Sequence, residues 1–101
     1  IMSYLSMWVM KPNPGKSQEA QETLKKMCTL WKKHGALEAH AAILFGGYYG
    51  HLGLNVRCES MEHYGKCNDS LVADPAVQKT LAEGEMLGEV VRQTLARRLT
   101  D

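Results

Sequence analysis

Four polar side chains on two neighbouring segments are the strongest sign of chemistry in this sequence. Glu38 and His40 precede a glycine-rich stretch, and Asn55 and Arg57 follow it. If the chain folds back around Tyr48 as a hairpin, all four fall on one sheet face, where cross-strand neighbours approach within about 5 Å. Held together, these groups could bind an anionic or enolic ligand and move a proton, with His40 as acid or base. The alternative is an ion-pair network that fixes the register between two copies of the chain.

A second candidate site is an apolar space between the predicted helices and the sheet. His63 and Tyr64 are the groups there able to act as acid or base. Six methionines in the chain would make such a cavity adaptable to an irregular apolar ligand. The predicted lining is Met7, Val9, Trp31, Leu54, His63, Tyr64 and Cys67, whereas Tyr4, Trp8 and Met10 are expected on the opposite face, beside the polar group.

The sequence predicts no metal site and no cofactor. Its four histidines form no HxH, HxxxH or HExxH pair, and its three cysteines form no CxxC pair. An odd set of cysteines also argues against a disulfide framework and for a reducing compartment, so a cytoplasmic location is expected. No GxSxG elbow or phosphate-cradling glycine motif is present. Cys67 falls in the interior of a predicted helix, away from the N-terminus that would activate a thiol.

The bulk composition excludes several classes of partner. The 101 residues predict one domain spanning 1–101, and 12 basic against 11 acidic residues give a formal net charge of +1. No basic stripe points to nucleic acid. No apolar run approaches the roughly 20 residues needed to cross a bilayer, and no signal-peptide pattern opens the chain.

The periodicity of apolar residues predicts the elements that must position these groups. Period-two alternation predicts strands over 4–10, 37–45 and 51–58. Helical spacing predicts a helix over 17–34, and Ser60 and Asp74-Pro75 predict the starts of two more helices. Segment 89–99 fits either a helical extension or a strand, and strand is favoured because Gly84 and Gly88 interrupt a long helix. The resulting order, β-α-β-β-α-β, predicts a ferredoxin-like α+β fold with one antiparallel four-stranded sheet and helices on one face.

Three short motifs carry a resemblance to a known superfamily. Pro14-Gly15 follows the first strand, Glu59-Ser60 opens the second helix, and Asp74-Pro75 ends it. With the order of elements over nearly the whole chain, they resemble the dimeric α/β-barrel superfamily, which includes antibiotic-biosynthesis monooxygenases and NIPSNAP-type proteins. The resemblance implies a homodimer in which two sheets close a barrel, with a ligand held between helices and sheet.

The sequence departs from the monooxygenase branches at two positions. Those branches carry a tryptophan two residues before the serine that opens the second helix and a histidine seven residues after it. Here the positions are Cys58 and Cys67, and His63 lies one helical turn before Cys67. The resemblance therefore implies an apolar or aromatic ligand without transferring the catalytic set.

Two functions follow as expectations. The first is a metal-free enzyme of secondary metabolism, monooxygenase-like or cyclase-like, using His63, Tyr64 or His40 as acid or base. The second is a non-catalytic dimeric binding or accessory protein that uses the same cavity. In both cases Met7, Trp8, Trp31, Asn55, Arg57 and Cys67 are the predicted ligand contacts.

Overall fold

The computed structural model describes residues 3–100, and these form one antiparallel sheet with three helices packed on one side. The elements are β1 (Tyr4–Pro12), α1 (Ser17–Lys33), β2 (Glu38–Ile43), a short 3-10 helix (Gly46–Tyr48), β3 (Leu52–Cys58), α2 (Met61–Val72), α3 (Pro75–Glu85) and β4 (Gly88–Arg97). Strand pairing gives the sheet order β2-β3-β1-β4, so β3 and β1 are the two interior strands. This confirms the predicted ferredoxin-like α+β fold, with the region after Ser60 divided into two helices.

Helix α1 forms because its apolar residues recur at helical spacing along one face. Ala20, Thr23, Met27 and Trp31 are its buried residues, at steps of three and four. Glu19 lies in the first turn and two lysines lie in the last, which matches the helix dipole. The buried side of the helix packs against strands β2 and β3, whose inward side chains include Val56.

The fourth strand is confirmed, and it pairs with β1 along the whole length of both. A register irregularity falls between Val9 and Met10. A Cβ placed on Gly88 would lie 2.5 Å from the Lys11 carbonyl oxygen, so only glycine lets β4 begin this close to β1. No described helix is long and apolar enough to span a membrane.

The two faces of β1 are the reverse of the prediction. Trp8 pairs with Leu54 and Met10 with Leu52, and these side chains point toward the helices. Met7, paired with Asn55, therefore faces away from them. The sequence alone could not decide between the faces, because each set of alternate residues in this strand contains large apolar side chains.

The end of α1 is tied to the junction between α2 and α3 by His34. Its ring contacts Ser70 Oγ through Nδ1 at 2.6 Å and Asp74 Oδ2 through Nε2 at 2.8 Å. Because a carboxylate only accepts, Nε2 carries the proton in this pair. Asp74 also caps α3 by accepting from the Ala76 amide at 2.9 Å. His34 thus connects the end of α1 to both α2 and α3 through two side-chain hydrogen bonds.

We expect this junction to make the stability of the fold sensitive to acid. The hydrogen bond from His34, then the bond from the Ala76 amide, hold the pKa of Asp74 below its ordinary value of 3.8. A carboxyl whose folded pKa is lowered stabilises the fold fully above the ordinary value, and the contribution is lost as pH falls through the lower folded value.

The variant Asp74→Asn should therefore unfold with less dependence on pH between about 5 and 2 than the wild type. Urea unfolding at a series of pH values measures this, and His34→Gln should reduce the same dependence part of the way. Parallel profiles for Asp74→Asn and the wild type over that range would contradict the assignment.

Candidate functional site

A cavity of about 530 Å³ lies between the helices and the β3-β1-β4 part of the sheet. Its wall is mostly apolar, as expected for a site that binds a small organic molecule. The sheet contributes Trp8, Met10, Leu52, Leu54, Gly88, Glu89 and Val90, and the helices contribute Thr23, Leu24, Met27, Trp31, Asn68, Leu71, Val72, Thr80, Leu81, Gly84 and Glu85.

Three aromatic rings form a row at one end of this cavity. Trp31 is 2% exposed, and its ring lies 5.6 Å from that of Trp8 and 5.9 Å from that of Tyr64. The Trp31 and Tyr64 rings are stacked, at an interplanar angle of 14°. Both tryptophans line the cavity but Tyr64 does not. Trp31 therefore lies between the cavity and the segment that carries His63 and Tyr64.

The structure brings together only part of the predicted lining. Trp31 and Leu54 line the cavity as predicted, and Trp8, expected on the opposite face, joins them. Met7 and Val9 were placed wrongly, because the faces of β1 are reversed. His63, Tyr64 and Cys67 lie beyond Trp31, outside the wall of the cavity.

The titratable groups that do line the cavity are two glutamates at its α3–β4 edge. Glu85 is the last residue of α3 and Glu89 the second residue of β4, and both are exposed. Asn68 on α2 is a further polar contact. Sequence reasoning missed this edge, although Val77, Thr80, Leu81 and Gly84 recur at helical spacing and mark the inward side of α3. The cavity therefore offers carboxylates at its rim and an apolar interior.

The four polar residues predicted to share a sheet face do share one, opposite the helices. Glu38 pairs with Arg57 and His40 with Asn55 in the β2–β3 register. Arg57 Nη2 donates to Glu38 Oε1 at 2.8 Å, and His40 Nε2 lies 3.6 Å from Glu38 Oε2. The hydrogen bond and charge of Arg57 hold the pKa of Glu38 below its ordinary value.

The neighbours of this polar group differ from the prediction. Leu5 and Met7 flank Arg57 and Asn55 on β1, in the places expected for Tyr4 and Trp8. Within a single chain the group is open to solvent, since the side chains of Glu38 and His40 are 49% and 67% exposed. The geometry of the group is that of a surface ion pair beside the apolar residues Leu5 and Met7 of β1.

His63 is held by hydrogen bonds at both ring nitrogens. Nδ1 accepts from the Glu59 amide at 2.9 Å, so Nε2 carries the proton and donates to the Gly35 carbonyl at 3.0 Å. Its own amide donates to Ser60 Oγ at 3.0 Å, which confirms Ser60 as the cap of α2. His63 therefore faces the loop after α1, outside the cavity for which it was proposed as the acid or base.

Two cysteines complete a grouping around His63 that sequence spacing did not identify. The Sγ atoms of Cys58 and Cys67 and a ring nitrogen of His63 all lie within 4.8 Å of one another. Cys58 ends β3, whereas His63 and Cys67 lie one turn apart on α2. One signal in the sequence could have identified this grouping. Cys58 and Cys67 stand at the two positions where the resemblance expects tryptophan and histidine, and their Sγ atoms lie within 4.8 Å of each other.

The thiol of Cys58 is unsuited to nucleophilic catalysis. The thiol is fully buried. Burial, and to a lesser extent the neighbouring Cys67, raises the pKa of Cys58 to about 11. At neutral pH it is a protonated thiol, which is a weak nucleophile. Burial likewise raises the pKa of Cys28, on α1.

No protein-family profile matches the sequence, and no curated protein matches it. Solved structures do match. A NIPSNAP family protein of unknown function from Agrobacterium tumefaciens superposes with a TM-score of 0.80 at 14% identity, over 95% of this chain and 87% of that one. A candidate antibiotic biosynthesis monooxygenase from Chloroflexus aurantiacus gives 0.76 at 16% identity, over 98% and 95%. SnoaB, a cofactor-independent oxygenase from Streptomyces nogalater, gives 0.69 at 7% identity, over 99% and 94%.

These likenesses define the class of the protein by its fold. The chain has the ferredoxin-like α+β fold shared by antibiotic biosynthesis monooxygenase-like and NIPSNAP proteins, over nearly its full length. The resemblance predicted from the order of elements is thereby confirmed at the level of the fold. At these identities the likeness extends to architecture alone, and function has to be argued from the site.

Proposed function

We propose that the protein is a homodimer that binds an apolar or aromatic small molecule in the cavity between its helices and sheet. The observation that carries this proposal is the cavity itself. Its volume of about 530 Å³ falls within the usual range for small-molecule sites. An interior of tryptophan, methionine and leucine with carboxylates at one edge suits a flat apolar ligand that carries a polar end.

Self-association is supported by β1, an interior strand of the sheet. Leu5, Met7 and Val9 form a stripe on the face opposite the helices and are only partly exposed. A strand that is apolar on both faces is typical of a sheet covered on both sides. The helices cover one side of β1, and a second copy of the chain is the proposed cover for the other.

The arrangement of this open face resembles that of a protein interface. Its apolar centre is flanked on one side by the Glu38–Arg57 pair and on the other by Arg92 and Thr94 of β4. An apolar core with a polar rim is the usual anatomy of such surfaces. The four polar residues that strand alternation placed on this face, Glu38, His40, Asn55 and Arg57, thus fit the rim of a dimer interface better than an active site.

Non-catalytic binding is the function that the geometry supports best. His63 and Tyr64 lie outside the cavity, and His40 lies on the opposite face of the sheet. A second candidate, oxygenation of the bound molecule without a cofactor, is favoured by the likeness to SnoaB. In that case Glu85, Glu89 and Asn68 are the polar side chains placed to contact the reacting molecule.

The two tryptophans provide a direct test of ligand binding. They are the only tryptophans in the chain and both line the cavity. We expect flat aromatic compounds, such as hydroxylated naphthalenes and anthracenes, to change the intrinsic fluorescence in a saturable way and to raise the melting temperature.

Leu81→Glu should weaken this binding about tenfold or more, because it places a charge in an apolar wall. Leu81 is 44% exposed, so the change leaves the buried core intact. Leu37→Glu is the matched control, since Leu37 is 42% exposed and lies outside the cavity. Equal binding by both variants would place the ligand elsewhere. Disappearance of the compound together with consumption of oxygen would instead support the second candidate function, oxygenation without a cofactor.

A further inference from the structure

We infer that Cys58, His63 and Cys67 form a binding site for a thiophilic divalent cation, with Zn²⁺ as the ion that fits best. The two thiols and the imidazole converge within 4.8 Å, from the end of β3 and from successive turns of α2. Two sulfurs and one imidazole nitrogen are donors that zinc prefers, and three protein ligands leave its fourth position open. This inference replaces the sequence-based expectation that the chain holds no metal.

The separations are close to those of a bound ion. Zinc–sulfur bonds of about 2.3 Å and zinc–nitrogen bonds of about 2.0–2.1 Å place tetrahedral ligand atoms about 3.5–3.8 Å apart. The donor atoms lie no more than 4.8 Å from one another. Closing the site therefore requires side-chain adjustment of about an ångström. The spacing along α2 helps, because His63 and Cys67 are four residues apart and project from the same face.

The ring nitrogen that we assign to the ion is Nε2. A Cβ placed on Gly35 would lie 3.3 Å from Cys67 Sγ and 3.9 Å from His63 Nε2, so both atoms lie beside the same glycine. On metal binding Nε2 exchanges its hydrogen bond to the Gly35 carbonyl for the ion, and the ring proton moves to Nδ1. The Glu59 amide then gives up its hydrogen bond to Nδ1, and water can take that place because Glu59 is an exposed residue.

Charge balance supports a cation of two positive charges. Binding converts two thiols to thiolates and releases two protons, so Zn²⁺ with two thiolates and one neutral imidazole is uncharged. A neutral site is the form that this location can hold, because Cys58 is 0% exposed and Cys67 is 3% exposed. Gly35 is exposed and without a side chain, and it lies next to two of the ligand atoms, which marks the side from which an ion enters.

The site is separate from the proposed ligand cavity. None of its three residues lines that cavity, and Trp31 lies between the two. A zinc site of this kind would tie the end of β3 to α2 and, through Gly35, to the loop after α1. The inference does not rest on the proposed function, and either can fail while the other holds.

The test uses the reduced full-length protein, kept under a non-thiol reductant and titrated with Zn²⁺ against a chromogenic chelator. We expect one ion per chain. Cys58→Ala and Cys67→Ala should each weaken binding by more than about 100-fold, because even outer-shell changes cost 10–100-fold. His63→Gln should weaken it by at least about 10-fold. Cys28→Ala is the matched control and should bind as the wild type does, since Cys28 lies on α1, outside the cluster.

Two measurements on the unaltered chain keep the inference testable if a variant fails to fold. Co²⁺ should produce thiolate charge-transfer absorption of the strength given by two thiolates, and Zn²⁺ should abolish it. Zn²⁺ binding should also release two protons per ion, measured with a pH indicator in weakly buffered solution. Absence of the cobalt band, binding of zinc without release of protons, or equal binding by the Cys28→Ala and Cys58→Ala proteins would each overturn the site.

Discussion

Met7→Lys should convert the proposed dimer to a monomer while leaving the fold of the chain intact. Met7 lies on β1, one of the two interior strands, in the middle of the stripe that the helices leave uncovered. In a symmetric pair the substitution places two lysines in the same interface without a partner. Each uncompensated buried charge costs about 3–5 kcal/mol, which corresponds to a dissociation constant raised by about 150- to 4,000-fold per charge.

Sedimentation equilibrium or light scattering over a range of concentrations measures this change, with circular dichroism to show that secondary structure is retained. Met61→Lys is the matched control, because Met61 is 45% exposed at the start of α2, on the helix side. We expect it to keep the oligomeric state of the wild type. A wild-type chain that is monomeric at micromolar concentration would contradict both the proposed dimeric barrel and the proposed cover for the open face.

Trp31→Ala should destabilise the fold more than any other single truncation on the cavity wall. Its indole is 2% exposed and lies between the rings of Trp8 and Tyr64, so the change removes two aromatic contacts and leaves a large void. Losses of about 3–5 kcal/mol are typical for truncating a buried tryptophan. A domain of this size is stable by roughly 5–15 kcal/mol, so the loss is a large fraction of the total.

Urea unfolding followed by circular dichroism measures the effect. Met86→Ala is the control truncation, since Met86 is 76% exposed, and its effect should lie within about 0.5 kcal/mol. A loss for Trp31→Ala of similar size to that of the control would show that the row of aromatic rings contributes little to the core.

The sequence predicted the order of elements well because the periodicity is strong where it matters. From Leu54 to Cys58, strand β3 alternates buried residues with more exposed ones, and α1 buries one helical stripe, so local pattern and tertiary packing agree. The caps at Ser60 and Asp74 were also readable, because a side-chain oxygen that accepts a backbone amide is a local interaction. The placement of Glu38 and Arg57 on one sheet face followed from strand parity, and the structure added that the two residues pair directly.

The location of the candidate sites could be decided only by the tertiary structure. Strand β1 has apolar residues on both faces, so alternation could not say which of them meets the helices, and Met7 and Trp8 were exchanged. The cavity wall also depends on the path of α3 over β4, which no local pattern specifies.

The grouping of Cys58 with His63 and Cys67 could likewise be found only from the tertiary structure. Local spacing explains the pair on α2, since residues four apart share a helix face, but the third member comes from the end of a strand. Local interactions along the sequence determined which helices and strands this chain forms and which residues share a face of each element. Long-range packing determined which faces meet, because the free energy of burying one apolar face or the other differs only when the whole sheet and its helices are in place.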